Sequence, residues 1–333
     1  MRHVLVVGST GQLGSEVVRQ AATAGHRVRA LVRHGSHHEH LRMPGVEIVF
    51  GDLRDGPSLE RVCEGITDVV ATATVIFPRG VASFQEDEGQ GYGNLVSACK
   101  TCRIERFLFV SIIPIDRRYL EAVPFLQMKV VGYELLRTSG LPHTIVRCSP
   151  FMDEYFAIMG SAIPLEGEVA ASLNRCRGVM RLIRRLCGRT IERFGVACVP
   201  GPETSRHAFI AVSDVAAYLV AAMARLEAGN TTLTIGGPET LSWRQVAALY
   251  SQLLGRPVRV LSLPARLFKF LADLTRPLSE ALSNQISVLW VVGETESVFD
   301  SRGTAAQYGI ALTTAESYLR KKVVQYRKVA AER

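Results

Sequence analysis

The chain has 333 residues, of which 47% are hydrophobic and 21% are charged, a balance typical of a globular protein with one large or two modest domains. Its formal net charge is +8, but the basic residues are spread along the chain without an RNA- or DNA-binding signature, so nucleic acid is excluded as the expected partner. The seven cysteines are scattered and the N-terminal apolar run is too short for a secretory signal, which together predict a cytoplasmic protein with reduced thiols.

An apolar strand followed by regularly spaced glycines opens the chain. Residues 4–7 are apolar, and Gly8, Gly11 and Gly14 follow at intervals of three. Gly8 permits a tight turn, Gly11 lets a pyrophosphate approach the backbone, and Gly14 lets a new helix pack closely on the strand. The unpaired N–H groups at that helix start then face the phosphates. The predicted dinucleotide-binding residues of this turn are Gly8, Ser9, Thr10, Gly11, Gln12, Leu13 and Gly14.

Strands and helices alternate over the first half of the chain. The first helix has an apolar stripe from Val17 to Ala22 and stops at Gly25. Further strands are predicted at 28–32, 46–50, 68–73, 106–110 and 143–147, and further helices at 90–102 and 126–139. The alternation predicts an α/β protein with a Rossmann-type, doubly wound parallel sheet, in which ligands bind at the carboxyl ends of the strands.

Polar and small residues follow several of these strands. The second strand leads into Arg33 without the Asp or Glu that would hold a ribose 2′-hydroxyl, so the predicted cofactor is NADP, with Arg33 on its 2′-phosphate. Thr72 and Thr74 stand among small residues at the end of the fourth strand, which leaves room for a flat ring.

Histidines and cysteines are the candidate metal ligands of this sequence. His34, His37, His38 and His40 lie in a polar loop, but no acidic or cysteine pattern accompanies them, so a solvated loop is favoured over metal binding. Cys99 and Cys102 share a helix face, and no second pair follows at zinc spacing. The sequence therefore predicts no metal site.

Four segments carry a family resemblance: the glycine turn at 8–14, and residues 51–53, 129–134 and 139–147. Together they resemble the atypical extended short-chain dehydrogenase/reductases, and within them the NmrA-like and isoflavone-reductase-like NAD(P)-binding branch. The resemblance covers residues 1–150, continues more loosely through 208–216 and 233–239, and fades after about residue 265.

The resemblance implies a division of the chain. Residues 1–150 would form the NAD(P)-binding domain, and 151–333 a smaller, mostly helical substrate-binding region, of which about 208–237 would pack back on the Rossmann sheet. Asp214 would start a helix there, with Ser213 or Asp214 capping its N–H groups, and residues 233–235 would form a returning strand.

The resemblance also implies roles for individual residues. Asp52, followed by Leu53, would contact the adenine, although turn formation alone also explains an aspartate there. Ser111 stands where the superfamily often has a hydroxyl. The usual tyrosine, four residues before the catalytic lysine, is Phe125 here, and phenylalanine cannot donate a proton. Relatives of the isoflavone-reductase type work without that tyrosine, which leaves Lys129 as acid/base or ribose ligand; a solvated helix lysine is the alternative.

Two later segments concern the substrate or a partner. Residues 175–193 carry seven arginines among apolar residues and predict a basic helix, which would face the core or form a lid, a peripheral membrane contact or a protein contact. Residues 263–270 and 287–292 are rich in large apolar side chains and indicate an apolar substrate pocket or a protein-binding surface.

These observations favour an NADP-dependent oxidoreductase that reduces an apolar, ring-containing small molecule. The alternative is a non-catalytic NAD(P)-binding redox sensor, assembly factor or complex subunit of the NmrA-like type, which Phe125 motivates. An epimerase or dehydratase is less favoured, because those enzymes also commonly use the missing tyrosine.

Overall fold

A computed structural model of the chain describes residues 1–74, 90–175, 178–225 and 230–332. These residues fall into two compact units. The first unit comprises Met1–Cys148, Val215–Ile235 and Tyr308–Ile310, and the second comprises Ser149–Asp214, Gly236–Gln307 and Ala311–Arg333. Each unit has its own hydrophobic cluster.

The strands, in chain order, are β1 (His3–Val7), β2 (Arg27–Val32), β3 (Val46–Phe50), β4 (Asp68–Ala71), β5 (Arg106–Ile112), β6 (His143–Cys148), β7 (Val196–Pro200), β8 (Arg206–His207), β9 (Thr231–Ile235), β10 (Leu241–Ser242) and β11 (Arg259–Leu263). The helices are α1 (Gln12–Thr23), α2 (Gly56–Cys63), α3 (Gly91–Thr101), α4 (Arg117–Ala122), α5 (Pro124–Thr138), α6 (Met152–Ile158), α7 (Gly178–Cys187), α8 (Thr190–Phe194), α9 (Val212–Ala224), α10 (Trp243–Leu254), α11 (Ala265–Thr275), α12 (Glu280–Glu294), α13 (Arg302–Tyr308) and α14 (Ala315–Glu332).

The first unit is built on a parallel sheet with the strand order β3-β2-β1-β4-β5-β6-β9. Every neighbouring pair in it is parallel. Residues 4–7 of β1 are buried, as are the residues of β4, because strands covered on both faces by helices are apolar throughout rather than alternating. The predicted Rossmann-type α/β fold is confirmed. Its element ends differ by a few residues: β4 stops two residues earlier, at Ala71, and β5 continues to Ile112.

The second unit is mostly helical and carries two small two-stranded sheets, β7 with β11 and β8 with β10. Its core contains the fully buried aromatic side chains of Phe156, Phe209, Trp243 and Tyr250. The helix α10 begins with a capping box formed by Ser242 and Gln245, and this reciprocal pair fixes where that helix starts.

The basic segment 175–193 is not one helix, contrary to the prediction. The helix α7 ends at Cys187, and a second short helix, α8, begins at Thr190. Ile191 is fully buried and its N–H donates to the Gly160 carbonyl at 2.9 Å, so the chain turns inward there. Leu182 and Leu186 of α7 are instead 56% and 63% exposed, so at these two positions the predicted core-facing stripe is also wrong.

The predicted cap of α9 is also corrected. The helix begins at Val212, whose N–H donates to the Asp153 carboxylate at 3.0 Å. Asp214 lies within the first turn and accepts hydrogen bonds from the Thr313 N–H and hydroxyl, at 2.7 and 2.8 Å. The Asp153 carboxylate, which is distant in sequence, therefore caps the first N–H group of α9.

The apolar segments 263–270 and 287–292 have different surroundings. Leu267 and Phe270 of α11 are 41% and 63% exposed, whereas Trp290 and Val292 of α12 are buried. Within the described ranges, the structure contains no helix that is both long enough and apolar enough to span a membrane.

Candidate dinucleotide site

The predicted site residues of the first unit follow adjacent strands at one edge of its sheet. In the register, Val7 lies opposite Leu31 of β2 and Ala71 of β4, and Ala71 lies opposite Phe109 of β5. The strand order reverses between β1 and β4, and such a switch point is where doubly wound sheets bind ligands.

Two glycines of the turn are required by its backbone conformation and by the close approach of neighbouring backbone atoms. Gly8 has φ +88°, in the left-handed region, and a Cβ added there would lie 2.6 Å from the Ala73 nitrogen. A Cβ at Gly14 would lie 2.1 Å from the Gly8 carbonyl oxygen. Both substitutions would force backbone atoms apart, so these glycines shape the turn itself.

Gly11 differs, because its backbone does not require a glycine. Its φ of −78° and ψ of 166° suit any residue, and an added Cβ would meet only the Gly8 oxygen, at 3.3 Å. Gly11 is the N-cap of α1, where no side chain caps the helix and no acidic residue stands in the first turn. The open space beside Gly11 and a helix N-terminus without a capping side chain fit a pyrophosphate, so this turn can hold a dinucleotide.

Hydrogen bonds from Ser9 in the turn and from Thr72, which follows β4, stabilise this arrangement. The Ser9 hydroxyl donates to the Leu31 carbonyl at 2.6 Å, and the Thr72 hydroxyl donates to the Val7 carbonyl at 3.1 Å. Gln12 and Leu13 are buried in the first turn of α1, and Thr10 is half-buried before it. Ser9 and Thr72 thus tie β1 to its two neighbouring strands and position the turn.

The ends of β2 and β3 bring Arg33 near Asp52. Arg33 is exposed, and the Asp52 carboxylate accepts hydrogen bonds from the Arg54 backbone N–H and guanidinium, at 2.9, 3.2 and 3.1 Å. Burial raises the pKa of Asp52, but the hydrogen bonds from Arg54 and the charges of Arg54 and Arg33 bring it below its ordinary value. The positive charge at this corner suits a phosphate group. Leu53, which follows, packs against the core of the first unit.

An Arg33→Gln variant should lose NADPH affinity by roughly tenfold to a hundredfold, because a charge-assisted contact contributes about 1.5–3 kcal/mol. NADH affinity should stay nearly the same, since NADH has no 2′-phosphate. Calorimetric titration with both nucleotides measures the two changes. Arg19→Gln, an exposed arginine of α1, is the matched control and should leave both affinities unchanged. Equal losses for NADH and NADPH would contradict the assignment.

Lys129 lies on α5 and is only 5% exposed, so the solvated-lysine alternative is wrong. Its ammonium donates to the Thr74 hydroxyl at 2.5 Å and to the Val110 carbonyl at 3.3 Å. The Nζ atom is 5.5 Å from the centre of the Phe109 ring and 5.9 Å from that of Phe125. Lys129 and Thr74, predicted separately from sequence, therefore come together beside the carboxyl end of β5. Ser111 follows Val110 in that strand and is buried.

The two tyrosines that lie near Lys129 in sequence, Tyr119 and Tyr133, are engaged elsewhere and do not replace the missing one. The Tyr119 side chain is buried and its hydroxyl accepts from the Arg118 guanidinium at 2.6 Å. The Tyr133 ring lies under the Arg147 guanidinium, 5.3 Å from its centre. Lys129 is therefore the residue of this cluster that we consider for proton transfer.

In the second unit, an acidic pair in the first turn of α6 was not predicted from the sequence. Asp153 is buried and accepts the Val212 N–H, whereas Glu154 is half-buried. Burial, and secondarily the charge of Asp153, raise the pKa of Glu154 to about 7. The available signal is two adjacent carboxylates a few residues after the strand β6, but their environment depends on residues far along the chain.

The raised pKa of Glu154 predicts that the stability of the folded protein depends on pH. Between its ordinary pKa of 4.5 and about 7, Glu154 is protonated in the folded protein and ionised in the unfolded chain, so stability falls as the pH rises through this range. We expect wild type to lose on the order of 1–3 kcal/mol of unfolding free energy between pH 5 and pH 8 through this residue. Glu154→Gln should lose less over that interval, as measured by urea denaturation.

The control is Glu280→Gln, which alters an exposed glutamate of the same unit. It should keep the wild-type pH dependence. An identical pH dependence for Glu154→Gln and wild type would show that Glu154 titrates normally.

The parallel sheet with its glycine turn at the switch point defines the class of Rossmann-type α/β proteins. The model of the NmrA-like family matches residues 1–319. This chain therefore belongs to the NmrA-like family.

Two photosystem II assembly factors named Ycf39 are among its relatives. That of Cyanophora paradoxa is 35% identical over 148 residues, 44% of this chain and 45% of the relative, so the match spans less than half of that protein's length. That of Synechocystis sp. is 25% identical over 326 residues, covering 96% of this chain and 90% of the relative. A third relative, an NAD(P)H azoreductase of Xenophilus azovorans, is 27% identical over 265 residues, 78% of this chain and 77% of the relative.

Among solved structures, the NADPH-dependent quinone oxidoreductase of Escherichia coli in complex with NADPH has the same fold. The TM-score is 0.69 at 17% identity, and the match covers 97% of this chain and 99% of that one.

Proposed function

We propose that this protein binds NADP(H) and reduces an apolar, ring-containing small molecule. The observation that carries the proposal is Lys129, a buried ammonium held by Thr74 and the Val110 carbonyl beside the carboxyl end of β5. A charge withdrawn from water costs free energy, so a buried lysine at a ligand-binding edge is better explained by a role there than by stability.

In this proposal, different residues of the first unit bind different parts of the cofactor. The turn at Gly11 and the N-terminus of α1 would hold the pyrophosphate, and Arg33 the 2′-phosphate. Asp52 would accept from the adenine amine, while Lys129 would hold the nicotinamide ribose or exchange a proton with a substrate oxygen. When bound, NADPH supplies the hydride.

Proton transfer would rest on Lys129 because Phe125 has no acidic proton. The Thr74 hydroxyl accepts from the ammonium, which fixes where the Lys129 nitrogen lies. A lysine held at one position can exchange a proton without the phenol that the wider superfamily uses. The substrate class is proposed from the resemblance to reductases of apolar molecules, and the azoreductase relative agrees with it.

A second candidate is a non-catalytic NADP(H)-binding assembly factor. Phe125 favours it, and so do the two relatives that are named as photosystem II assembly factors. This candidate shares the cofactor site but not the chemistry, so NADPH binding alone does not separate the two.

The experiment that separates them is a hydride-transfer assay with wild type. NADPH-loaded protein is mixed with apolar ketones, enones, benzylic ethers, quinones and azo dyes, and the loss of nicotinamide absorbance is followed. The reductase proposal expects oxidation of NADPH by at least one of these classes. Tight NADPH binding with no oxidation by any of them would overturn the reductase proposal and favour the assembly factor.

A further inference from the structure

The helices α7 and α8 present large apolar side chains to solvent. Leu182 and Leu186 lie one turn apart on α7 and are 56% and 63% exposed, and Phe194 at the end of α8 is 71% exposed. A helix that packs on a core buries such residues, so these three side chains have no packing partner within the described part of the chain. We call it the α7–α8 surface and define it by Arg181, Leu182, Arg185, Leu186, Arg189, Arg193 and Phe194.

The arginines of the α7–α8 surface keep their positive charge uncompensated. Arg181, Arg185 and Arg193 are exposed and Arg189 is half-buried, and across residues 1–74, 90–175, 178–225 and 230–332 no carboxylate forms an ion pair with any of the four.

The acidic residue of this segment does not neutralise them. The Oε1 atom of Glu192 points inward and accepts from the Ser161 hydroxyl and from the N–H groups of Ala162 and Ile163, at 2.6, 2.7 and 3.2 Å. Glu192 thus anchors α8 to the second unit, and this leaves the outward face basic.

We propose that the α7–α8 surface docks on an anionic lipid bilayer. Leucine and phenylalanine side chains enter the boundary between headgroups and acyl chains, while guanidinium groups stay at the level of the lipid phosphates. Charge complementarity selects this occupant, because four arginines without paired carboxylates match a negatively charged surface. The proposal is independent of the reductase activity.

Another exposed apolar stripe has a weaker positive charge. Leu267, Phe270, Leu274 and Leu278 are exposed along α11 and just beyond it. The charges there are fewer and mixed, since the Lys269 ammonium pairs with the Asp273 carboxylate at 2.7 Å and, among the described residues there, only Arg266 and Arg276 add exposed positive charge. This stripe therefore provides a matched control of similar apolarity.

The test is co-sedimentation of the full chain with vesicles of phosphatidylcholine, with and without one-third phosphatidylglycerol. Wild type should bind the anionic vesicles, bind neutral ones far more weakly, and dissociate as salt rises. Each arginine near an anionic surface contributes about a fivefold factor, so Arg181→Gln with Arg185→Gln should weaken binding roughly thirtyfold. Leu182→Ser with Leu186→Ser should also weaken binding, whereas the control pair Leu274→Ser with Leu278→Ser should not.

A second readout reports the contact directly. Cys187 is exposed at the end of α7, whereas Cys102 and Cys198 are partly exposed. Cys187 can carry an environment-sensitive fluorophore in a background in which Cys102, Cys176 and Cys198 are replaced by serine. Its emission should shift to the blue with anionic vesicles only. Thermal melts establish whether each variant is folded. We expect all of them to fold, because the substituted leucines and arginines are exposed to solvent.

Several outcomes would overturn the proposal. The first two are that wild type does not bind anionic vesicles, or that it binds neutral vesicles equally well. The others are that both double variants of α7 bind as wild type does, or that only the Leu274→Ser, Leu278→Ser control loses vesicle binding. Failure to bind vesicles together with specific binding of an acidic protein through the same arginines would assign the surface to a protein partner instead.

Discussion

A Gly11→Val variant is expected to fold normally and to lose NADPH affinity by at least about a hundredfold, ~2.7 kcal/mol. Its backbone angles suit valine, and the added Cβ meets only the Gly8 oxygen, at 3.3 Å. The rest of the side chain would occupy the space that the pyrophosphate needs, so the substitution should weaken NADPH binding and leave folding unchanged. Calorimetric titration with NADPH, together with a thermal melt, measures both effects.

Gly14→Val is the contrasting variant for this test. Its Cβ would lie 2.1 Å from the Gly8 carbonyl oxygen, so it should destabilise the first unit as well as abolish binding. Normal NADPH affinity in folded Gly11→Val would refute the dinucleotide site at this turn.

The second large effect is expected at Lys129. In Lys129→Met the apolar part of the side chain is kept and the ammonium is lost. If the ammonium transfers a proton, hydride transfer in a single turnover should slow by about 10² to 10⁴, with NADPH affinity nearly unchanged. If it only holds the ribose, NADPH affinity should fall and the rate at saturating NADPH should stay close to that of wild type.

A second variant, Lys129→Arg, distinguishes proton transfer from ribose binding. A guanidinium keeps its charge at any accessible pH, so it can bind a ribose hydroxyl but cannot give up a proton. A proton-transfer role predicts that Lys129→Arg is as slow as Lys129→Met, and a binding role predicts recovery. Wild-type rates and wild-type affinity in both variants would exclude Lys129 from the site.

The cofactor half of the fold could be predicted because its determinants are local. A buried strand, a turn that only Gly8 can make and a close approach at Gly14 leave a pattern within eleven residues. The strand order then follows from alternating strands and helices. That Lys129 is buried could not be derived, because it depends on Phe109 and Thr74, which lie on other elements.

The errors have the same origin in long-range contacts. The sequence predicts that Asp214 caps its own helix, but its two carboxylate oxygens accept hydrogen bonds from Thr313, 99 residues later. The basic pattern predicts one helix, but the chain turns inward at the buried Ile191 and forms two helices. In neither place does the sequence show which distant group competes for the side chain.

The central claim is that the carboxyl edge of the first unit binds NADP(H). Calorimetric titration of wild type with NADPH and with NADH tests it most directly. The expected result is one NADPH bound per chain, with NADH weaker by roughly tenfold to a hundredfold because it lacks the phosphate that Arg33 would hold. Absence of binding by either nucleotide, or equal affinity for the two, would contradict this account.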